Sequence, residues 1–263
     1  MKRKPIAVKL DGYPAEFHPL LSSAPVLDSS CSPEARVIFI DRDGGYFLKS
    51  APTGALEREA LMTAYFHAKG LSCEVISYLP DREGRDWLLT RRVRGEDCTH
   101  ATYLSEPRRL AILLGERLRA LHEETHADCP VPDRMASYFS LAEENYRGGA
   151  CDPSYYTTDY GAADRETLYR IVESGRELLR SDTLLHGDYC LPNVLLDGWR
   201  FSGFIDLGGG GVGDRHVDLY WGAWTLRFNL GTDRFRDVFF DAYGRDRINP
   251  DALRVIAAAE TFG

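Results

Sequence analysis

An α+β fold of two lobes is predicted by three features of this 263-residue sequence: an N-terminal antiparallel β-sheet lobe with one helix, then a mainly helical C-terminal lobe. Two β-branched and aromatic runs, Arg36-Val37-Ile38-Phe39-Ile40 and Tyr46-Phe47-Leu48-Lys49, flank Asp41-Arg42-Asp43-Gly44-Gly45, a strong hairpin signal. Beyond Arg94-Gly95 the period changes, and Leu110, Leu113, Leu114, Leu118 and Leu121 recur at helical spacing. The change of character near 91–95 divides the chain into lobes of residues 1–93 and 94–263, with a ligand cleft expected between them.

Taken in order, the hairpin is followed by a helical stretch over 56–69, with Gly70 placed to end it. Strands are expected over 73–79 and 86–90, separated by a polar turn. In the second lobe Ser105 is a candidate N-cap for the leucine-rich helix. Further helices are expected over 134–146 and 164–179, with an irregular tyrosine-rich connection over 148–160 between them. Short strands at 183–185, 194–196 and 201–205 then interrupt the helical pattern, and helices over 214–226, 232–243 and 250–262 finish the chain.

Composition narrows the class. Hydrophobic residues make up 44% and charged residues 27%, ordinary for a globular protein, and the formal net charge is −8. Phosphate backbones are bound by clustered Lys and Arg, so so acidic a chain is not expected to bind nucleic acid, and a cationic ligand suits it better. The six cysteines are scattered with no C-x-x-C pair, which predicts thiols rather than a zinc site or disulfide framework. Residues 1–9 are basic but no apolar stretch follows, and no run is long enough to span a bilayer, so the expectation is a cytoplasmic protein with no membrane partner.

The chemistry is concentrated in Leu185-His186-Gly187-Asp188-Tyr189-Cys190-Leu191-Pro192-Asn193, in a predicted loop between two short strands. A carboxylate stands five residues before an amide, and Asp206-Leu207-Gly208 follows thirteen residues later at a strand end. Phosphoryl transfer uses this set: one carboxylate orients the attacking hydroxyl and takes its proton, while an amide and a second carboxylate hold magnesium against the phosphates. Magnesium prefers oxygen ligands, which Asn193 and Asp206 supply. His-x-Asp alone is common, whereas the whole order His186, Asp188, Asn193, Asp206-x-Gly208 is far more demanding. Upstream, Lys49 ends a strand and Glu59 lies on the next helix, where a lysine can reach nucleotide phosphates and a glutamate can hold it. Glu57 competes for that role, but Glu59 shares a helical face with Leu56. Gly208-Gly209-Gly210-Gly211 lacks the Gly-Lys-Ser/Thr of a P-loop and reads as a flexible segment. His122 and His126, with no third ligand nearby, read as ordinary helix-end histidines rather than metal ligands.

With these residues in place, the sequence resembles the aminoglycoside phosphotransferase family, and within it the 3'-phosphotransferases. The likeness runs from about Val37 to Phe262 and is densest in His186-Gly187-Asp188-x-Cys190-Leu191-Pro192-Asn193 and Ser202-Gly203-Phe204-Ile205-Asp206-x-Gly208. Gly211-x-x-Asp214-Arg215-x-x-Asp218 and Leu56-Glu57-Arg58-Glu59 also match. The resemblance implies a protein-kinase-like fold whose first lobe binds the nucleotide and whose second carries catalysis and substrate. It implies Asp188 as catalytic base, Asn193 and Asp206 as magnesium ligands, and Lys49, held by Glu59, on the α- and β-phosphates. Ser30 and Ser32 would belong to the loop over the phosphates, Arg91 and Val93 to the backbone that holds the base, and Asp218 would brace the catalytic loop.

Departures from the family concern the acceptor. Aminoglycosides are polycations and relatives meet them with carboxylates, yet this chain has Tyr155 and Thr158, with only Asp159 close by. A later acidic pair is replaced by Phe228-Asn229, Glu260 is preceded by Ala259, and Gly209 stands where close relatives carry an arginine. Asp159 and Glu260 are therefore the remaining candidates for substrate binding. The expected activity is magnesium-dependent transfer from ATP or GTP to a hydroxyl of an aminoglycoside-type antibiotic, a resistance function. A same-fold kinase for another hydroxylated antibiotic or metabolite is the alternative. A non-catalytic nucleotide-binding module is a third reading, opposed by the presence of Lys49, Asp188, Asn193 and Asp206.

Overall fold

The computed structural model describes residues 4–31, 33–80 and 84–263. In chain order its elements begin β1 (Lys4–Pro5), α1 (His18–Leu21), β2 (Val26–Asp28), β3 (Arg36–Ile40), β4 (Tyr46–Pro52), α2 (Glu57–Ala68), β5 (Val75–Pro80), β6 (Arg85–Arg91) and β7 (Glu96–Asp97). Then come α3 (Ala101–Leu104), α4 (Pro107–His122), α5 (Arg134–Arg147), α6 (Ser154–Tyr160), α7 (Arg165–Gly175), β8 (Thr183–Leu185), β9 (Val194–Asp197), β10 (Arg200–Phe204) and β11 (Gly211–Gly213). The chain closes with α8 (His216–Leu230), α9 (Arg236–Tyr243) and α10 (Pro250–Glu260). It divides into two compact units, residues 1–97 with 195–208, and residues 98–194 with 209–263.

The first unit is built on a six-stranded sheet in the order β1-β2-β3-β4-β6-β5. Its pairings are antiparallel, with Leu48 of β4 opposite Ile38 of β3 and Leu89 of β6. Strand alternation puts Ile38, Ile40, Tyr46, Leu48, Trp87 and Leu89 on one face, where Phe17 and Leu21 cover them. The other face carries Ala51 and Leu88 under Leu56, the N-cap of α2, and Ala60 within it. The β3–β4 turn is a left-handed run, Asp43 at φ 49°, Gly44 at 91° and Gly45 at 103°, the conformation for which glycine is suited. A smaller sheet, β10-β9-β7, completes the unit, and Ser72 bridges to Phe204 of β10.

The second unit is mainly helical. Helix α4 packs on α9, and α10 lies against α6, α7 and α8. The short antiparallel pair β8–β11, buried throughout, carries the candidate catalytic loop at its end. Several expectations are corrected. Ser105 does not cap α4: it ends α3, its hydroxyl donating to Thr102 O at 2.9 Å, while α4 starts at Pro107 after Glu106. Proline at the first helical position needs no side-chain cap for its missing N–H. The 148–160 connection is not wholly irregular, because residues 154–160 form α6. Tyrosine and threonine are weak helix formers, and the helix is held by the Asp152 carboxylate accepting Ser154 N–H at 3.0 Å and by packing on α10. Helix α8 also runs further than expected, to Leu230, where Gly231 at φ 66° stops it.

Candidate active site

In the first unit, register on β4 decides where Lys49 points. Leu48 faces the core, so Lys49 rises from the opposite face, where α2 lies. Its ammonium is 2.7 Å from Glu59 Oε2 and 2.7 Å from Asp206 Oδ1. Glu59 is in the first turn of α2 and buried, whereas Glu57 is exposed and does not take this contact. Burial alone would lower the lysine's pKa, but the two carboxylates outweigh it and hold the ammonium well above its ordinary value. Burial pushes Glu59 upward, opposed by Lys49. Asp206 sits at φ 61°, a left-handed position that aspartate tolerates better than most residues and that is concentrated at functional sites. Its turn is fixed by Arg58, whose Nε donates to Gly208 O, a residue the sequence reading quoted only as part of a motif.

Of the other nucleotide candidates, Ser30 is tied back to β3. Its Oγ accepts Val37 N–H at 3.0 Å and its own N–H donates to Asp28 Oδ1 at 2.9 Å. Ser32 lies outside the described residues. The Arg91 guanidinium covers the Tyr46 ring at 4.4 Å and donates to Asp43 O, so its side chain is a surface brace. Val93 is buried, and a Cβ on Gly203 would come within 3.0 Å of its Cγ1.

In the second unit the loop after β8 is held chiefly through its backbone. Asp218, fully buried in the first turn of α8, accepts His186 N–H at 2.8 Å on Oδ2 and Gly187 N–H at 2.7 Å on Oδ1. Gly187 is at φ 84°, and a Cβ there would lie 1.9 Å from Gly209 O, so only glycine fits. Asp188 follows, half-buried, and the Asn193 amide donates to its Oδ2 at 2.8 Å and to its carbonyl oxygen at 3.0 Å. With both N–H bonds spent on Asp188, the amide oxygen is the Asn193 atom left for a cation. The Cys190 thiol also hydrogen-bonds the Asp188 carboxylate, and burial pushes that thiol's pKa far up, so it remains an S–H donor.

Asp218 has a third partner that sequence reading did not find. His122 Nε2 lies 3.1 Å from Asp218 Oδ2, and its Nδ1 is 2.8 Å from Tyr243 Oη. An ionised Asp218 takes the Nε2–H, so Nδ1 accepts from the tyrosine. His122 is the helix-end residue expected, closing α4, and it is also a buried brace behind the loop; its place on the apolar stripe with Leu118 was the signal available. The glycine run is hydrogen-bonded and closely packed. Gly211 pairs with Leu185 in β11, Gly209 O accepts from Arg134 Nε at 2.9 Å, and both sit against close-packed neighbours.

The two acceptor candidates are both engaged within this unit. Asp159 is ion-paired with Arg236 at 2.6 Å. Glu260 is buried, its Oε1 accepting Tyr138 O–H at 2.8 Å and Trp221 Nε1–H at 3.1 Å. Desolvation pushes its pKa up to about 7, with the hydrogen bonds pulling the other way and the Asp188 charge adding to the rise. Tyr138 and Trp221 were not anticipated. Among the described residues no cluster of three His, Cys, Asp or Glu side chains is arranged to hold a metal. The Asn193 amide oxygen in this unit and the Asp206 carboxylate in the first are each an oxygen donor of the kind magnesium takes.

A strand unit with a clamped lysine and a helical unit bearing the His186–Asn193 loop define the class of protein: a small-molecule kinase of the protein-kinase-like fold. The chain belongs to the phosphotransferase enzyme family, whose profile matches residues 29–256, and the resemblance drawn from its motifs is borne out. It is 48% identical over 260 residues to a "probable aminoglycoside 3'-phosphotransferase" of Lactococcus lactis, covering 99% of this chain and 98% of that protein. Its fold is that of a solved type VIII aminoglycoside-3'-phosphotransferase, with TM-score 0.72 and 23% identity, covering 99% of this chain and 94% of that one. A Streptomyces rimosus aminoglycoside phosphotransferase solved with ADP and streptomycin is similar too, with TM-score 0.70 and 24% identity over 86% of this chain and 90% of that one.

Proposed function

We propose that this chain transfers the γ-phosphoryl group of ATP or GTP, with magnesium, to a hydroxyl of an aminoglycoside-type antibiotic, acting in the cytoplasm as a resistance enzyme. The observation that carries the reading is Asp188: a half-buried carboxylate on a loop pinned by Asp218 and steadied by the Asn193 amide. The acceptor class comes from the 48%-identical relative.

In this reading residues 1–93 serve the nucleotide and residues 94–263 the acceptor and the chemistry. Asp188 accepts the proton of the attacking hydroxyl as its oxygen bonds to the γ-phosphorus and the bond from that phosphorus to the β–γ bridging oxygen breaks, releasing ADP or GDP. Lys49 donates to α- and β-phosphate oxygens, with Glu59 fixing its ammonium. Ser30 and Ser32 lie over the phosphates, and backbone at Arg91 and Val93 holds the base. Asn193 and Asp206 would hold magnesium, which neutralises phosphate charge. Glu260 and Asp159 remain the candidate acids for a cationic acceptor. Their engagement with Tyr138, Trp221 and Arg236 favours a second reading, a kinase of this fold for another hydroxylated antibiotic or metabolite.

The test is a coupled assay of ADP or GDP release with magnesium, each nucleotide, and a panel of aminoglycosides and other hydroxylated antibiotics. Turnover on kanamycin supports the first reading; turnover confined to another acceptor supports the second. Asp188→Ala should lower turnover at least ~100-fold with folding retained, and near-normal activity would remove its role as base.

A further inference from the structure

Helix α2 has no side-chain cap of its own. Its N-cap residue is Leu56, whose side chain accepts nothing, so the N–H groups that open the helix need a partner from elsewhere. For the Leu56 N–H that partner is Asp86, near the start of β6 and fully buried. Asp86 Oδ2 accepts the Leu56 N–H at 3.1 Å and the hydroxyl of Tyr78, on β5, at 2.9 Å. Burial, joined by the Asp86 carboxylate, pushes the Tyr78 phenol up to about 12, so it remains a donor.

Register places this contact beside the clamped lysine. Asp86 pairs with Ala51 of β4, and Lys49, two residues back, pairs with Leu88. Asp86 and Lys49 therefore rise from the same face of the sheet. Both reach the start of α2, with Ala51, Leu88, Leu56 and Ala60 packed among them.

The choice of acceptor for Leu56 has a consequence for Glu59. A glutamate at the third helical position ordinarily folds back to accept the N-cap N–H, which is one half of a capping box. Glu59 stands at that position in α2, three residues after Leu56. Its carboxylate is instead 2.7 Å from the Lys49 ammonium, and the N–H it would otherwise cap is held by Asp86. Asp86 is also a costly way to cap a helix. Among the described residues nothing donates to its Oδ1, and a buried oxygen without a partner calls for a reason beyond stability.

We propose that Asp86 is a positioning residue for the nucleotide: by taking the Leu56 N–H it releases Glu59 from capping its own helix and leaves that carboxylate to Lys49. This rests on the reading of Lys49 as the contact to the nucleotide phosphates, and it names the residue that keeps the lysine's partner available.

The test uses the full chain, with calorimetric titration of ATP and GTP in the presence of magnesium and thermal unfolding of each protein. The set is wild type, Asp86→Ala, Glu59→Ala and the double variant. In Asp86→Ala the Glu59 carboxylate turns back onto Leu56, so ATP Kd should rise about fivefold while the helix keeps a cap. Once Glu59 is gone Lys49 has no such partner to lose, and adding Asp86→Ala to Glu59→Ala should leave Kd where it was. Tm should behave the opposite way: the fall caused by Asp86→Ala should be larger beside Glu59→Ala, where no carboxylate replaces the cap. Asp86→Asn, whose amide oxygen can take the place of Oδ2, should restore the wild-type Kd. A Kd unmoved by Asp86→Ala, or raised equally with and without Glu59, overturns the proposal while leaving the kinase reading intact. If Asp86→Ala does not fold, Tyr78→Phe takes its place. With one donor removed from Asp86, ATP Kd should rise about twofold when Glu59 is present and not when it is absent; no rise in either background overturns the proposal. A wild type that binds neither ATP nor GTP refutes the Lys49 reading and this inference with it.

Discussion

Replacing Glu260 with glutamine separates charge from shape at the candidate acceptor end of the second unit. Glutamine has nearly the same volume, and its amide oxygen can still accept from Tyr138 Oη and Trp221 Nε1, so the packing of α10 against α8 should persist. What disappears is titration. The unfolded chain ionises this carboxyl near 4.5, whereas burial in the folded protein keeps the proton on until about 7. Between those values the folded state binds more protons, so folding stability declines as pH rises through the window and levels off above about 7. The gap corresponds to about 3 kcal/mol by the usual conversion. Wild type and Glu260→Gln should be matched to within about 1 kcal/mol at pH 5. By pH 8 the variant should be ahead by up to about 3 kcal/mol, a Tm difference on the order of 6–10 °C for a chain of this size. Thermal unfolding of both proteins at pH 5, 6, 7 and 8 measures it directly, and groups common to both cancel. A Tm difference that stays constant from pH 5 to 8 would refute a carboxyl that titrates in this window. The same variant reads the acceptor: if the Glu260 charge binds an ammonium, kanamycin KM should rise in Glu260→Gln, and an unchanged KM would remove that role.

Other perturbations test the supports of the site. Lys49→Met strands the buried Glu59, so urea unfolding should show a loss of about 2 kcal/mol at pH 8 that shrinks at pH 5, where the carboxyl can take a proton; equal losses at both would contradict a paired carboxylate. His122→Ala removes one of three donors from Asp218 and should lower kcat by about tenfold with acceptor and nucleotide KM unmoved. His122→Gln, which can still donate, should recover part of it, and unaltered kcat in His122→Ala would leave the histidine with a packing role alone. Gly115→Ala places a methyl 2.5 Å from Phe239 O and 2.8 Å from Ala242 Cβ, forcing α4 away from α9, at a cost of about 1–3 kcal/mol in thermal unfolding. An unchanged Tm would show that the pair of helices slides freely there.

What the sequence revealed follows from how tightly chemistry constrains residue type. A proton acceptor, an amide and a second carboxylate in fixed order have few substitutes, so Asp188, Asn193 and Asp206 stand out in a single chain, and Lys49 and Glu59 follow from strand and helix periodicity. Contacts assembled from distant segments leave no such trace. His122 meets Asp218 across 96 residues and Tyr243 across 121, and at each position histidine or tyrosine is an unremarkable choice. The same holds for Tyr138 and Glu260, 122 residues apart. Local misreadings have local causes: Ser105 is a good cap, but Pro107 starts the helix later, and the Tyr-Thr run of α6 has weak helix propensity that packing on α10 overrides.

Helix α8 explains how the candidate catalytic loop and an aromatic stripe can differ in constraint while sharing one element. Asp218 and Thr225, two turns apart, lie on the side that holds the loop: Asp218 takes the His186 and Gly187 N–H groups, and Thr225 Oγ1 accepts Leu191 N–H at 3.1 Å. Trp221, Trp224 and Phe228 occupy the adjoining stripe, where among the described residues only Trp221 hydrogen-bonds inward, to Glu260. Backbone donors fix what positions 218 and 225 must be, since each has to present an oxygen at one place. The aromatic stripe makes no comparable demand, and its outermost member touches Trp224 and solvent. Exchanging an acidic face for an aromatic one along this stripe therefore leaves the Asp188 loop where it is.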